Sequence, residues 1–304
     1  MPESIPEDVI SFVREIFSEA NVDATMALAR QPSAHEEMLD FQTFAALDRV
    51  GPSIMPSSGT AVEIDSHWFG GRRLWGHWEI ADIVVVIILR QGDRVMWRKV
   101  ALLQSKRLYS REIPVTELEW QDYAIGIGRS LQQTESRPPR TQQRAFSFTI
   151  DCVYGAMRSG GSQVQAIDQY MRSRNIAVYY SFYNPPKMPY RSAIPRPASL
   201  PLQREDIPLG CRVLRAADAH RALANLPVGR TPQFAEIAVL AASPTDEYAP
   251  YGWRLETFIA DEVLRCREGR LFERHDDADL YALLYERDYP IASMIMISID
   301  LPEG

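Results

Sequence analysis

Apolar residues recur at helical spacing from Val9 and Ile10 through Phe12, Val13, Ile16 and Phe17, which predicts a helix opening near Pro6. A second helix is predicted from near Glu36 to Val50, closed by Gly51-Pro52. The period then shortens. Ala61 to Ile64 reads as a strand, and so does Glu79 to Leu89, whose second half is a continuous, mostly β-branched run of a kind buried on both faces. Gln91-Gly92-Asp93 is a turn signal, and the apolar run from Val95 to Gln104 follows it, so the two strands form a predicted hairpin. A further helix is predicted after Pro114, with Thr116 as N-cap.

The polar, proline-bearing stretch from Gln132 to Arg144 reads as a linker or exposed loop. Beyond it the pattern predicts a helix over Gly161 to Arg174 and a strand over Ala177 to Tyr183. A long proline-rich irregular stretch follows from Asn184 to Leu209. Next come a strand at Cys211 to Leu214, a helix at Ala216 to Leu226 and an amphipathic helix at Tyr251 to Arg267. Asp276 to Glu286 reads as a short helix, and Ile291 to Leu301 as a closing strand. The expected class is α/β, with a central mixed sheet flanked by helices over residues 1–135. A second α/β segment over 145–304 would recognise substrate, dock a partner or pack with the first as one unit.

Composition narrows the setting. A chain of 304 residues with 46% hydrophobic content can bury one large core or two modest ones. No apolar run approaches the length of a membrane span, and the acidic amino terminus lacks the basic and apolar regions of a signal peptide. Cys152, Cys211 and Cys266 are widely separated, forming neither a zinc pattern nor a disulfide framework, so a reducing cytoplasm is expected. A net charge of -7 argues against a free-standing DNA-coating protein, because phosphate contacts dominate nucleic-acid affinity. It leaves room for an enzyme with acidic site residues and basic residues confined to one face. Two basic clusters qualify: Arg90, Arg94, Arg98 and Lys99, then Arg107, Arg111, Arg137, Arg140 and Arg144; each alone reads first as a solvated rim.

The chemistry is carried by the hairpin. Only three basic residues are lysines, Lys99, Lys106 and Lys187. Lys99 and Lys187 read as surface residues, whereas Lys106 stands two residues after Gln104 at the end of the apolar strand. Residues two apart on a strand share a face, and pairing around the turn brings Asp82 towards them. A carboxylate, an amide oxygen and an ammonium at one sheet edge suit a hard divalent cation and a phosphate beside it.

This arrangement, Asp82 opening a hydrophobic strand and Gln104-x-Lys106 closing the next, resembles the PD-(D/E)xK nuclease superfamily. Its Gln-x-Lys form resembles the Mrr-like restriction endonuclease branch. The resemblance covers roughly residues 30 to 135. It implies a restriction-endonuclease-like sheet and a metal-dependent DNA endonuclease, set in restriction or anti-phage defence. Asp82 would bind Mg2+ or Mn2+, with Glu79 or Glu63 assisting and Gln104 lending its carbonyl oxygen. Lys106 would orient the attacking water or neutralise charge on the phosphate. Glu37, on the upstream helix, would complete the acidic cluster. DNA is the implied partner, with a helicase, ATPase or sensor subunit to bring it and a homodimer as a further option. RNA is a weaker alternative substrate. No proline precedes Asp82, and Gln104 replaces the commoner acid, which also fits an inactive scaffold or interaction subunit of a defence or repair assembly.

Other candidates have plainer readings. His67 and His77 stand beside tryptophans and read as packing or surface rather than ligands, and Asp261-Glu262 reads as a solvated helix face. Tyr179, Tyr180, Phe182 and Tyr183 read first as core or a partner face, with base stacking as the alternative. No phosphate loop, nucleophile elbow or Cys-His motif is present.

Overall fold

A computed structural model describes residues 4–69, 79–113, 144–194, 209–238, 251–273, 276–285 and 291–303. The chain opens with α1 (Glu7–Arg30), α2 (Glu36–Leu47), β1 (Ser53–Ile54) and β2 (Ala61–Trp68), followed by the hairpin β3 (Ala81–Gln91) and β4 (Arg94–Arg107). Next come β5 (Arg111–Ile113), β6 (Arg144–Phe148), α3 (Ser162–Arg174), β7 (Val178–Tyr183), β8 (Tyr190–Ile194) and β9 (Cys211–Arg215). The chain closes with α4 (Ala216–Ala224), α5 (Phe234–Ala238), β10 (Trp253–Arg254), α6 (Leu255–Thr257), a π-helix (Phe258–Val263), β11 (Arg270–Phe272), α7 (Asp277–Tyr285) and β12 (Ile291–Leu301).

Among the described residues the main sheet has nine strands in the order β1-β2-β12-β3-β4-β7-β9-β10, with β11 on the same edge of β4 that β7 pairs further along. It is mixed. β12 runs parallel to β3 and β7 parallel to β4, while the other pairs are antiparallel. Parallel neighbours need a crossover, and the chain between β4 and β7 includes α3. Strands from both sides of residues 135–145 share this one sheet, and their buried side chains form one apolar cluster.

Ile83 to Ile87 of β3 are all buried, which fits a strand covered on both faces. The helices lie on opposite sides of the sheet. On β7, Tyr183 meets α2 through Asp40, and Tyr180 meets α4 through His220. Those two tyrosines are an odd number of residues apart, so they point to opposite faces. α2 therefore covers one face and α4 the other.

Several expectations change. The span from Tyr251 to Arg267 is not one amphipathic helix. Trp253–Arg254 pairs with β9, and Gly252 (φ +83°) brings its backbone against Leu214 and the Val213 carbonyl, where a side chain would collide. The helical part starts only at Leu255 and widens into π geometry, closed by the Leu264 N–H to Ile259 carbonyl bond of 3.0 Å. Lys99 is buried, not a surface lysine, because β11 covers its strand edge and pairs it with Leu271. Burial lowers its proton affinity, against the opposing influence of Cys266 and Glu268. The aromatic set Tyr179, Tyr180, Phe182 and Tyr183 is core and offers no face for bases. Part of the irregular stretch after Asn184 is a strand, β8, in a three-stranded sheet with β5 and β6. The helix expected after Pro114 and nearly all of the Gln132 to Arg144 loop lie outside the described residues.

Candidate active site

The hairpin register sets Ile83 opposite Leu103, which places Asp82 beside Gln104. The Asp82 Oδ2 oxygen accepts two hydrogen bonds: one from Gln104 Nε2 and one from the Ser105 backbone N–H at 2.7 Å. Lys106 is buried, and its Nζ donates to the Ser105 carbonyl at 2.9 Å. All of these side chains line a cavity of about 810 Å³ that also takes Glu79, Glu36, Glu37 and Asp40. Its far wall is Gly155, Ala156, Arg158 and the first residues of α3, with Gly161 to Val164 among them. The cavity stands at the carboxyl end of β4, the usual ligand position in open α/β sheets. Asp82, Gln104, Lys106, Glu79 and Glu37 are thus brought together.

Glu63 is not among them. β12 inserts between β2 and β3, so Glu63 lies one strand further out and pairs with Ser298, level with Ile88. Six residues of strand separate that level from Asp82, roughly 20 Å at about 3.3 Å per residue. Its side chain is exposed.

Asp40, by contrast, was not singled out by the sequence. It is buried on α2, and its Oδ1 accepts from Ser105 Oγ and from the Tyr183 hydroxyl, both at 2.7 Å. Thr43 Oγ1 lies 3.3 Å from the same hydroxyl, and Glu36 Oε1 accepts the Arg107 N–H at 3.3 Å. Glu37 stays exposed at the cavity mouth. The sequence signal is a polar stripe: Glu36, Asp40 and Thr43 recur at helical spacing along one side of the helix.

Burial dominates the electrostatics. It pushes Asp40 up to about 7, helped by Glu36 and opposed by Ser105, Tyr183 and Lys106. It also lifts Asp82 well above the usual carboxylate range; Lys106 and the Ser105 N–H oppose this, while Asp40 and Glu79 add to it. Two carboxyl groups close together in a poorly solvated pocket compete for one ammonium, and each holds a proton the more tightly.

Two oxygens in the cavity are free to take a ligand such as a divalent cation. Glu79 Oε1 and Gln104 Oε1 are buried with no hydrogen-bond partner, and an orphaned buried acceptor costs about 1–3 kcal/mol. Both residues line the cavity with Asp82. Among the described residues no three His, Cys, Asp or Glu side chains converge closely enough to cage an ion. If a cation binds here, the Gln104 amide oxygen would be the third protein donor beside Glu79 and Asp82. Such a sparse set suits Mg2+, which keeps several waters and binds through one or two carboxylates.

The positive charges divide. Arg90 and Arg94 stand at the hairpin turn, the opposite end from Asp82. Arg107 is buried, donates to the Pro32 carbonyl at 2.7 Å and sits 3.7 Å over the Tyr109 ring; Arg111 pairs with Asp151 at 2.5 Å. Lys106 and Arg158 are the cations on the cavity wall among the described residues. Arg137 and Arg140 lie outside those residues, as do His77 and His275. His35 and His67 are exposed and do not line the cavity, and Asp261 is paired with Arg14 at 2.6 Å. No family model, curated protein or solved structure matches this chain.

Proposed function

We propose that the cavity at the end of the β3–β4 hairpin is the active site of a metal-dependent DNA endonuclease. The supporting observation is the convergence of Asp82, Gln104, Lys106 and Glu79 on one cavity, with two buried oxygens that lack partners. Glu79, Asp82 and the Gln104 amide oxygen would hold Mg2+ or Mn2+, which supplies Lewis acidity and charge neutralisation at the phosphodiester. The Lys106 ammonium, one residue before the strand end and almost fully enclosed, meets charge that develops on the phosphate and steadies the attacking water. Ser105 ties the two carboxyl groups together, giving its N–H to Asp82 and its hydroxyl to Asp40. The lysine is therefore held against a fixed acidic background rather than pairing freely with either acid. Restriction or anti-phage defence is the setting we favour, with a helicase, ATPase or sensor subunit delivering DNA to an acidic protein.

Two observations favour a second reading, an inactive scaffold. Gln104 spends its amide N–H on Asp82, and the described residues offer no three-ligand cage of acids, histidines or cysteines. Nicking of supercoiled DNA decides between them. We expect Mg2+- or Mn2+-dependent nicking by the parent protein and none by Asp82→Ala or Lys106→Ala. Equal activity in all three, or none with any cation or partner subunit, favours the scaffold.

A further inference from the structure

Behind the cavity lies a hydrogen-bonded chain that the nuclease reading leaves without a role. His220 on α4 sits between two partners, with Nδ1 2.7 Å from Asp168 Oδ1 on α3 and Nε2 2.8 Å from the Tyr180 hydroxyl on β7. A carboxylate oxygen accepts, so Nδ1 carries the hydrogen; a neutral imidazole then accepts at Nε2, and Tyr180 donates to it. The His220 side chain is only 8% exposed and Tyr180 is fully buried, so solvent does not compete for these bonds.

Its location gives the chain its meaning. Tyr180 is the register partner of Gln104 in the parallel β4–β7 pair, so the two side chains flank each other on one face of the sheet. Asp82 is near enough to add to the upward push that burial and Asp168 exert on the Tyr180 hydroxyl. At the other end, Asp168 belongs to the same helix whose first residues, Ser162 to Val164, form the far wall of the cavity. One end of the chain thus grips the wall and the other grips the floor beside the metal-donor amide.

We propose that Asp168, His220 and Tyr180 form a positioning clamp that fixes α3 over β7 and so holds Gln104 at the spacing a divalent cation requires. The inference rests on the cation-binding reading of the cavity. None of the three residues touches the cation or the phosphate; they act through Gln104 and the α3 wall. Supporting residues around metal ligands are worth about 10- to 100-fold in metal affinity.

The test is Mn2+ affinity without nucleic acid, read from the free-ion resonance, with thermal unfolding measured alongside. Tyr180→Phe keeps the ring and removes the hydroxyl; Asp168→Ala removes the carboxylate at a half-exposed position where folding should survive. Each is expected to weaken Mn2+ binding about tenfold. Asp168→Asn still accepts from His220 and should restore affinity to within about twofold, a rescue that lost packing alone would not produce. Parental affinity in both Tyr180→Phe and Asp168→Ala overturns the clamp and leaves the cation site standing. A parental protein that binds no Mn2+ overturns both together.

Discussion

Replacing Asp40 by asparagine removes one titrating proton from the site while preserving its shape. The asparagine Oδ1 can still accept from Ser105 and Tyr183, the two donors 2.7 Å from Asp40 Oδ1. Asp40 is 1% exposed, and burial raises its carboxyl from 3.8 to about 7. A folded-state value above the unfolded one means that protonation favours the fold. That contribution is complete below the unfolded value and is lost as pH rises through about 7. Between about pH 5 and pH 8.5 the parent should therefore lose roughly 2–3 kcal/mol relative to Asp40→Asn, at about 1.4 kcal/mol per tenfold change in proton affinity. Urea unfolding of both proteins, with chelator present, gives the comparison. Parallel stability curves across that pH range would refute the claim that burial holds a proton on this pair.

Other consequences can be checked in simpler assays. Glu63→Gln should leave Mn2+ affinity and nicking at parental levels, since Glu63 is exposed and far from Asp82 along the sheet; a tenfold loss in either would contradict the placement. Ile87→Ala, at a fully buried position of β3, should cost about 2–5 kcal/mol in urea unfolding, and a cost below about 1 kcal/mol would argue against a strand covered on both faces. Gly155→Ala sets a Cβ 2.9 Å from the Tyr109 ring and should lower stability by about 1–3 kcal/mol, readable as a fall in melting temperature. Arg90→Glu with Arg94→Glu, at the far end of the hairpin, should not weaken DNA binding if the phosphate is met by Lys106 and Arg158.

Local patterns were the readable part of this chain. The hairpin needed only a β-branched run, a turn and a second apolar run, and it places Asp82 beside Gln104 as strand pairing requires. The closing strand was likewise readable from its own residues, as Ile291–Leu301. What its sequence could not reveal was its destination. Insertion of β12 between β2 and β3 is a pairing across more than 200 residues, and it removes Glu63 from the site. The burial of Lys99 is hidden from local sequence for the same reason, because β11 covers it from far along the chain. Asp40 was readable in principle, since its helical spacing to Glu36 and Thr43 marks a polar face. Glu37, the acid on this helix that the family resemblance implies, stays at the rim. The Tyr180–His220–Asp168 chain joins a strand to two different helices, and no local motif announces such a contact.

A crystal of the protein soaked in Mn2+ puts the account to its most direct test, because the ion scatters anomalously and needs no substrate. The account predicts one anomalous peak in the cavity, about 2–2.5 Å from oxygens of Glu79, Asp82 and Gln104. Saturating Mn2+ with no peak there, or a peak held by other residues while these oxygens stay unligated, would contradict it.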